Sequence, residues 1–174
     1  MKKSIPLLLS ILSCAGLVSA AHAAPPNDAQ IAAIVVAANA VDIDAGKLAQ
    51  SKTSSKTVRA FAERMVADHA SVNRQATALV QKLKVTPEEN DTSASLKKDG
   101  GATLARLKGM SGKAFDKAYV DNEVAYHQTV LDALDKTLIP GAANAELKAL
   151  LVKVRPAFVA HLEHAKRLQA SRKS

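Results

Sequence analysis

The chain predicts an all-α protein: four long helices forming a bundle of two antiparallel hairpins joined by a long crossover. Three observations predict it. Alanine is abundant, aromatic residues are only 3% of the chain, and the β-branched residues recur at helical rather than alternating spacing. Four segments carry apolar residues at steps of three and four, which keeps them on one helical face. Between the second and third segments lies a connection of residues 85–113, long enough to traverse a bundle where a simple turn would not need it.

Asn27 or Asp28 can cap a first helix running to about Lys52, with Ile31, Val35, Ala38, Asp42, Ala45 and Ala49 along one face. Ser54 or Ser55 caps a second to about Lys84, where Thr86-Pro87 stops it. Its inward series is Val58, Phe61, Met65, His69, Val72, Ala76, Leu79 and Leu83. Residues 85–113 are the least regular part, with Pro87, Gly100 and Gly101 around one short helix near Leu104–Lys108. A third long helix spans about Lys113 to Leu138, and Pro140-Gly141 ends it. Its inward series is Asp116, Val120, Glu123, His127, Leu131, Leu134 and Leu138. Asn144 caps a fourth that reaches about Leu168, with Leu147, Leu151, Val154, Phe158, His161, Ala165 and Leu168 facing in. Pro156 sits inside this helix and predicts a kink.

Polar residues interrupt every stripe. A polar ring buried without a partner costs about 1–3 kcal/mol, so His69, His127 and His161 each need a reason to be interior. Residues 1–23 read as a secretory signal peptide, with a Lys2-Lys3 start, an apolar run from Ile5 to Val18 and a small-x-small pattern at Ala21-His22-Ala23. A rival reading acylates Cys14 as a lipoprotein. Cleavage after Ala23 leaves no cysteine, hence no disulfide, thiolate metal site or thiol nucleophile. The bundle domain then occupies residues 24–170, followed by a basic tail at 171–174.

The precursor carries a net +8, and loss of Lys2 and Lys3 leaves 22 basic and 16 acidic residues, or +6. Those charges are scattered along polar faces, and all five aromatics fall in segments that read as core. Nucleic-acid binding, which wants a basic patch with stacking rings, is therefore not expected. A weak attraction to anionic envelope lipids is.

Four blocks then recur in a familiar order: VDIDAGKLA at 41–49, VRAFAERMVADH at 58–69, GKAFDKAYV at 112–120 followed by His127, and Pro156 before His161-Leu162. The chain resembles a bacterial domain-of-unknown-function family, number 4142, over essentially all of residues 28–170. The resemblance implies a ferritin-like four-helix bundle and export, periplasmic or associated with the outer membrane, and it implies no established activity. By the family pattern Asp42 stands where a glutamate is usual.

Ferritin-like di-iron sites use inward glutamates and two Glu-x-x-His pairs. Here the third residue after Glu63, Glu123, Glu146 and Glu163 is Val66, Tyr126, Ala149 and Lys166, so that centre is absent. Gly-x-Ser-x-Gly and a phosphate-binding glycine loop in strand context are also absent, and no enzyme class is indicated. What remains is Asp42, His69, Asp116, Glu123, His127 and His161. Imidazoles with carboxylates suit a divalent transition metal such as zinc, iron(II), manganese or copper(II). His164 and Asp68 read as rim or surface residues, and Met65 as packing. Counting from a turn at Gly141, His127 lies 14 residues away and His161 lies 20. At about 1.5 Å per residue this sets them roughly 9 Å apart along the axis. It pairs His161 with Asp116 or Tyr119 and splits the constellation into two polar layers. The leading expectation is an envelope protein with a non-enzymatic structural, interaction or stress-associated role, its polar core fixing helix register. The alternative is a metal-binding bundle.

Overall fold

Every described element is helical. The computed structural model describes residues 24–172, so the expected signal peptide, Cys14 and the last two residues of the tail lie outside the described residues. Helix α1 spans Asp28–Lys52 and α2 Lys56–Lys82; α3 is Asp91–Lys108, α4 Gly112–Ala133 and α5 Ala145–Ala170. Local chemistry sets the boundaries. Asn27 caps α1 in a reciprocal box with Gln30, Ser55 accepts from Val58 N–H at the start of α2, and Asn144 accepts from Glu146 and Leu147 N–H at the start of α5. Lys84, at φ 54°, takes the left-handed position just past α2. Among the described residues no helix is long and apolar enough to cross a membrane.

Cross-helix bonds fix the directions. Asn73 donates to Val36 O and Gln50 to Ala62 O, so α1 and α2 run antiparallel. Gln169 reaches Asp121 and Arg155 reaches Asp135, which does the same for α4 and α5. Asp28 accepts from the N–H groups of Ala143 and Asn144, joining the first turn of α1 to the second hairpin. At the opposite end Thr53 Oγ1 donates to Asp116 Oδ1 at 2.5 Å. The hairpins are therefore antiparallel to each other across α1 and α4.

The crossover differs from the expected irregular segment with one short helix. An Asn90–Ser93 capping box starts an 18-residue helix, α3, that continues through Gly100-Gly101. It runs parallel to α1, from Glu88 bonded to Ala29 O at one end to Lys108 O accepting from Lys52 at the other. Gly100 lets it lie close, since a Cβ there would stand 2.7 and 2.8 Å from the two Val41 methyls. With α2 and α4 on one side and α3 on the other, α1 is covered around most of its circumference. That explains why Ala32, Ile34 and Ala37 are buried alongside the expected stripe.

The end of α4 also departs from expectation. Pro140-Gly141 does not stop it, because Leu134–Leu138 forms a π-helical turn and Ile139–Gly141 one further helical turn. Arg155 grips Asp135 in this turn with two bonds of 2.6 and 2.7 Å. Pro156 lies inside α5 on its exposed side, where Val152 one turn earlier is also exposed, and the helix continues past it to Ala170. Two apolar clusters fill the interior: one holds Ile31, Leu134, Leu151 and Phe158, the other Phe61, Met65, Phe115 and Leu168. The histidines sit between them.

The two adjacent glycines of α3 should behave oppositely. Gly100→Ala gains helix propensity worth about 1 kcal/mol yet forces Val41 aside, and a net loss of about 1–2 kcal/mol is expected in urea unfolding. Gly101 has nothing within 4 Å of a built Cβ, so Gly101→Ala should gain about 0.5–1 kcal/mol. A stabilising Gly100→Ala would show that α3 does not pack against Val41.

Candidate metal centre

Asp42 comes from α1, His69 from α2, Glu123 and His127 from α4, and His161 from α5; all five side chains are buried. The three imidazole rings form a triangle with centroids 5.5, 5.4 and 5.4 Å apart. Phe158 closes it from the apolar side, 5.0 Å from His69. His69 Nε2 lies 2.5 Å from Asp42 Oδ2 and 3.4 Å from His127 Nε2. His127 Nε2 lies 3.5 Å from Asp42 Oδ2, and Glu123 Oε2 is 3.6 Å from His127 Nδ1. Ligand-capable atoms fall into two sets, each mutually within 4.8 Å: His69, His127 and His161, then Asp42, Glu123 and His127.

This corrects the two polar layers expected from the sequence. His161 is level with His127, and it bonds Asp68 at 2.8 Å rather than Asp116 or Tyr119. The α4–α5 hairpin is centred near Asn144, not Gly141, because α4 continues through its π turn. Each histidine is 17 residues from Asn144, so the two arms match. Asp116 is not in the cluster. Two turns before Glu123, it accepts from Thr53 and lies 3.4 Å from Arg172 at the far end of the helices.

Three outer partners set the state of the rings. Asn39 donates through Nδ2 to Val35 O, so its Oδ1 accepts from His69 Nδ1 at 2.8 Å. The Glu123 backbone carbonyl accepts from His127 Nδ1 at 3.0 Å, and the Asp68 carboxylate accepts from His161 Nε2. Each ring therefore commits one N–H outward and turns a lone pair inward. Sequence reasoning missed Asn39, although it lies three residues before Asp42 on the same face; it set Asp68 aside as a surface residue. His161 Nδ1, both Glu123 oxygens and the Tyr119 hydroxyl have no hydrogen-bond partner. The Asp42 carboxylate faces inward, its Oδ2 2.5 Å from His69 Nε2 and 3.5 Å from His127 Nε2.

Burial and charge then separate the carboxyl groups. Burial pushes Asp42 up, but the facing His69 and His127 outweigh it and hold it below the usual carboxylate range. Burial, then the Asp42 charge, drives Glu123 well above that range, which favours its neutral acid. Burial lowers His127 to about 4 against the pull of Asp42, and lowers His161 against the pull of Asp68. Tyr119 is raised well above 10 by burial, with Glu123 and Asp42 adding to it.

A family model described as "Domain of unknown function (DUF4142)" matches residues 15–168. The chain belongs to this family. No curated protein and no solved structure matches the chain. The family supplies no chemistry, so the chemical argument rests on the side chains themselves.

The metal-free protein should lose stability as pH falls below about 6.5. Unfolded histidines titrate near 6.5 and the folded ones lower, so stability falls as pH drops from about 6.5 through the folded values, about 4 for His127. Glu123 acts oppositely. Its folded pKa lies above 4.5, so stability falls as pH rises from 4.5 through the folded value. Below 6.5 the two histidines outweigh one carboxyl. Thermal melts from pH 4 to 9 should show this acid decline, and Glu123→Gln should keep it while removing the opposing fall with rising pH. A flat profile between pH 5 and 8 would contradict buried, neutral rings.

Proposed function

We propose that this protein binds a divalent transition metal ion inside a ferritin-like four-helix bundle, using His69, His127, His161 and Asp42 with Glu123 beside them. One observation carries this reading. Ligand atoms of His69, His127 and His161 lie within 4.8 Å of one another beside the buried Asp42 carboxylate, while an N–H of each ring is held by an outer acceptor. Converging lone pairs repel, and in a buried site a cation relieves that repulsion. A proton shared between His69 and Asp42 answers the shortest contact and leaves His161 Nδ1 unanswered. A metal answers all four atoms.

The spacing agrees. Zinc-like ions hold nitrogen and oxygen ligands at about 2.0–2.1 Å, so neighbouring ligand atoms in a tetrahedron stand about 3.3 Å apart. The 3.4 Å between His69 and His127 and the 3.5 Å between His127 and Asp42 already match, while the 2.5 Å His69–Asp42 contact would open. Outward N–H bonds to Asn39, to the Glu123 carbonyl and to Asp68 are the arrangement that fixes metal-binding histidines. The donor set contains no sulfur, which suits zinc, iron(II), manganese or copper(II).

The bundle reading is supported by one crossover joining two antiparallel hairpins. Export to the bacterial envelope rests on the sequence of residues 1–23, and weak contact with anionic lipids on the net positive charge. A second reading, a non-enzymatic structural or interaction protein, draws on the Asn39–His69 and Asp68–His161 bonds, which fix helix register without any metal.

The two readings separate in one experiment. At a free metal concentration of 100 times Kd, binding adds about 2.7 kcal/mol, a rise in Tm of about 5–10 °C for a domain of this size. One of zinc, iron(II), manganese or copper(II) should produce it, and His127→Ala should abolish it. Elemental analysis of protein purified from its own compartment should then find that metal near one per chain. Absence of any shift would leave the structural reading.

A further inference from the structure

Two cavities lead from the surface to opposite flanks of the cluster. One, of about 240 Å³, lies between α2 and α5 and ends at His69 and His161. The other, of about 250 Å³, lies between α1, α3 and α4 and ends at Asp42 and Glu123. Either has room for a hydrated ion, whose six waters occupy about 180 Å³ at about 30 Å³ each. Volume does not choose between them. Charge does.

The α2–α5 cavity carries Lys153 on its wall, and its one carboxylate, Asp68, is already bound to His161 and 3.3 Å from Arg64. No lysine, arginine or histidine lines the α1–α3–α4 cavity. Exposed Asp99 stands on its wall, half-buried Thr103 and Asn122 follow, and Glu123 and Asp42 form its floor. The neighbouring Lys97 is drawn off to Glu89. Both oxygens of Glu123 are fully buried and unpartnered at that floor. A cation shedding water along this passage therefore meets oxygen ligands in sequence, and no positive charge opposes it.

We infer that the α1–α3–α4 cavity is the route by which a divalent cation reaches the histidine cluster, with Asp99 as its outer carboxylate, Glu123 as its inner oxygen ligand, and α3 as the covering wall. This rests on the metal reading above, and it assigns to α3 a role that helix packing alone does not.

Stopped-flow mixing with cobalt(II), followed by its visible absorption, tests the route. Asp99→Lys should slow association about tenfold at low salt. Thr103→Leu, which narrows the passage, should slow it similarly, and Thr103→Ala should not. Equilibrium affinity should change less than threefold in all three, with helical content by circular dichroism unchanged. Ala157→Leu, on the wall of the α2–α5 cavity, should leave the rate within twofold of the unaltered protein. Equal rates throughout, or an Ala157→Leu effect as large as that of Thr103→Leu, would overturn the route while leaving the metal site standing. Failure of the unaltered protein to bind cobalt(II) at equilibrium is a separate result that removes the metal reading itself.

Discussion

Between its two apolar clusters, the core contains a level at which four helices each contribute a buried polar side chain. Desolvating such groups is costly unless each finds a partner. The cost is limited here by committing every ring to an outer acceptor: an asparagine on α1, a backbone carbonyl of α4 and a boundary aspartate on α2. Those commitments fix the ring orientations. They also leave the inward atoms short of protons, and the chemistry proposed for the protein follows from that deficit.

The same constraint organises the helices. Asn39 and Asp42 occupy successive turns of α1, so both the outer anchor of His69 and its inner contact come from one helix. A slip of α1 against α2 would break both. Asp68 does the corresponding work between α2 and α5. Glu123 contributes twice from one residue, its carbonyl to His127 and its carboxyl to the floor of the α1–α3–α4 cavity. Small residues permit the close approach these bonds need. A Cβ at Gly46 would stand 2.8 Å from a Val66 methyl, as one at Gly100 would meet Val41.

Much of this was legible in the chain. The period of three and four placed His69, Glu123, His127 and His161 inside, because a polar residue on an apolar stripe has nowhere else to point. Capping residues gave three of the long-helix starts. Two features were not legible. Helix α3 contains adjacent glycines and few apolar residues, so propensity argued against it; contact with α1, which local sequence does not encode, stabilises it. The π turn has no sequence signature in Leu134–Leu138, yet it moves the centre of the hairpin and so decides which histidines meet. Asn39 was readable in principle, three residues from Asp42, but an asparagine in an alanine-rich helix carries little signal alone.

That π turn has a consequence for how the family can vary. Each residue of an α-helix advances the chain by about 100° and 1.5 Å, whereas a widened turn absorbs one extra residue with little change in length. Adding or deleting a residue in Leu134–Leu138 would therefore unbalance the two arms, each 17 residues from Asn144, that bring His127 level with His161. A length change there would shift Leu134 and Leu138 in the apolar cluster and pull Asp135 from Arg155, so the turn fixes how far the two arms of the hairpin reach and its length is constrained by the histidine level it sets.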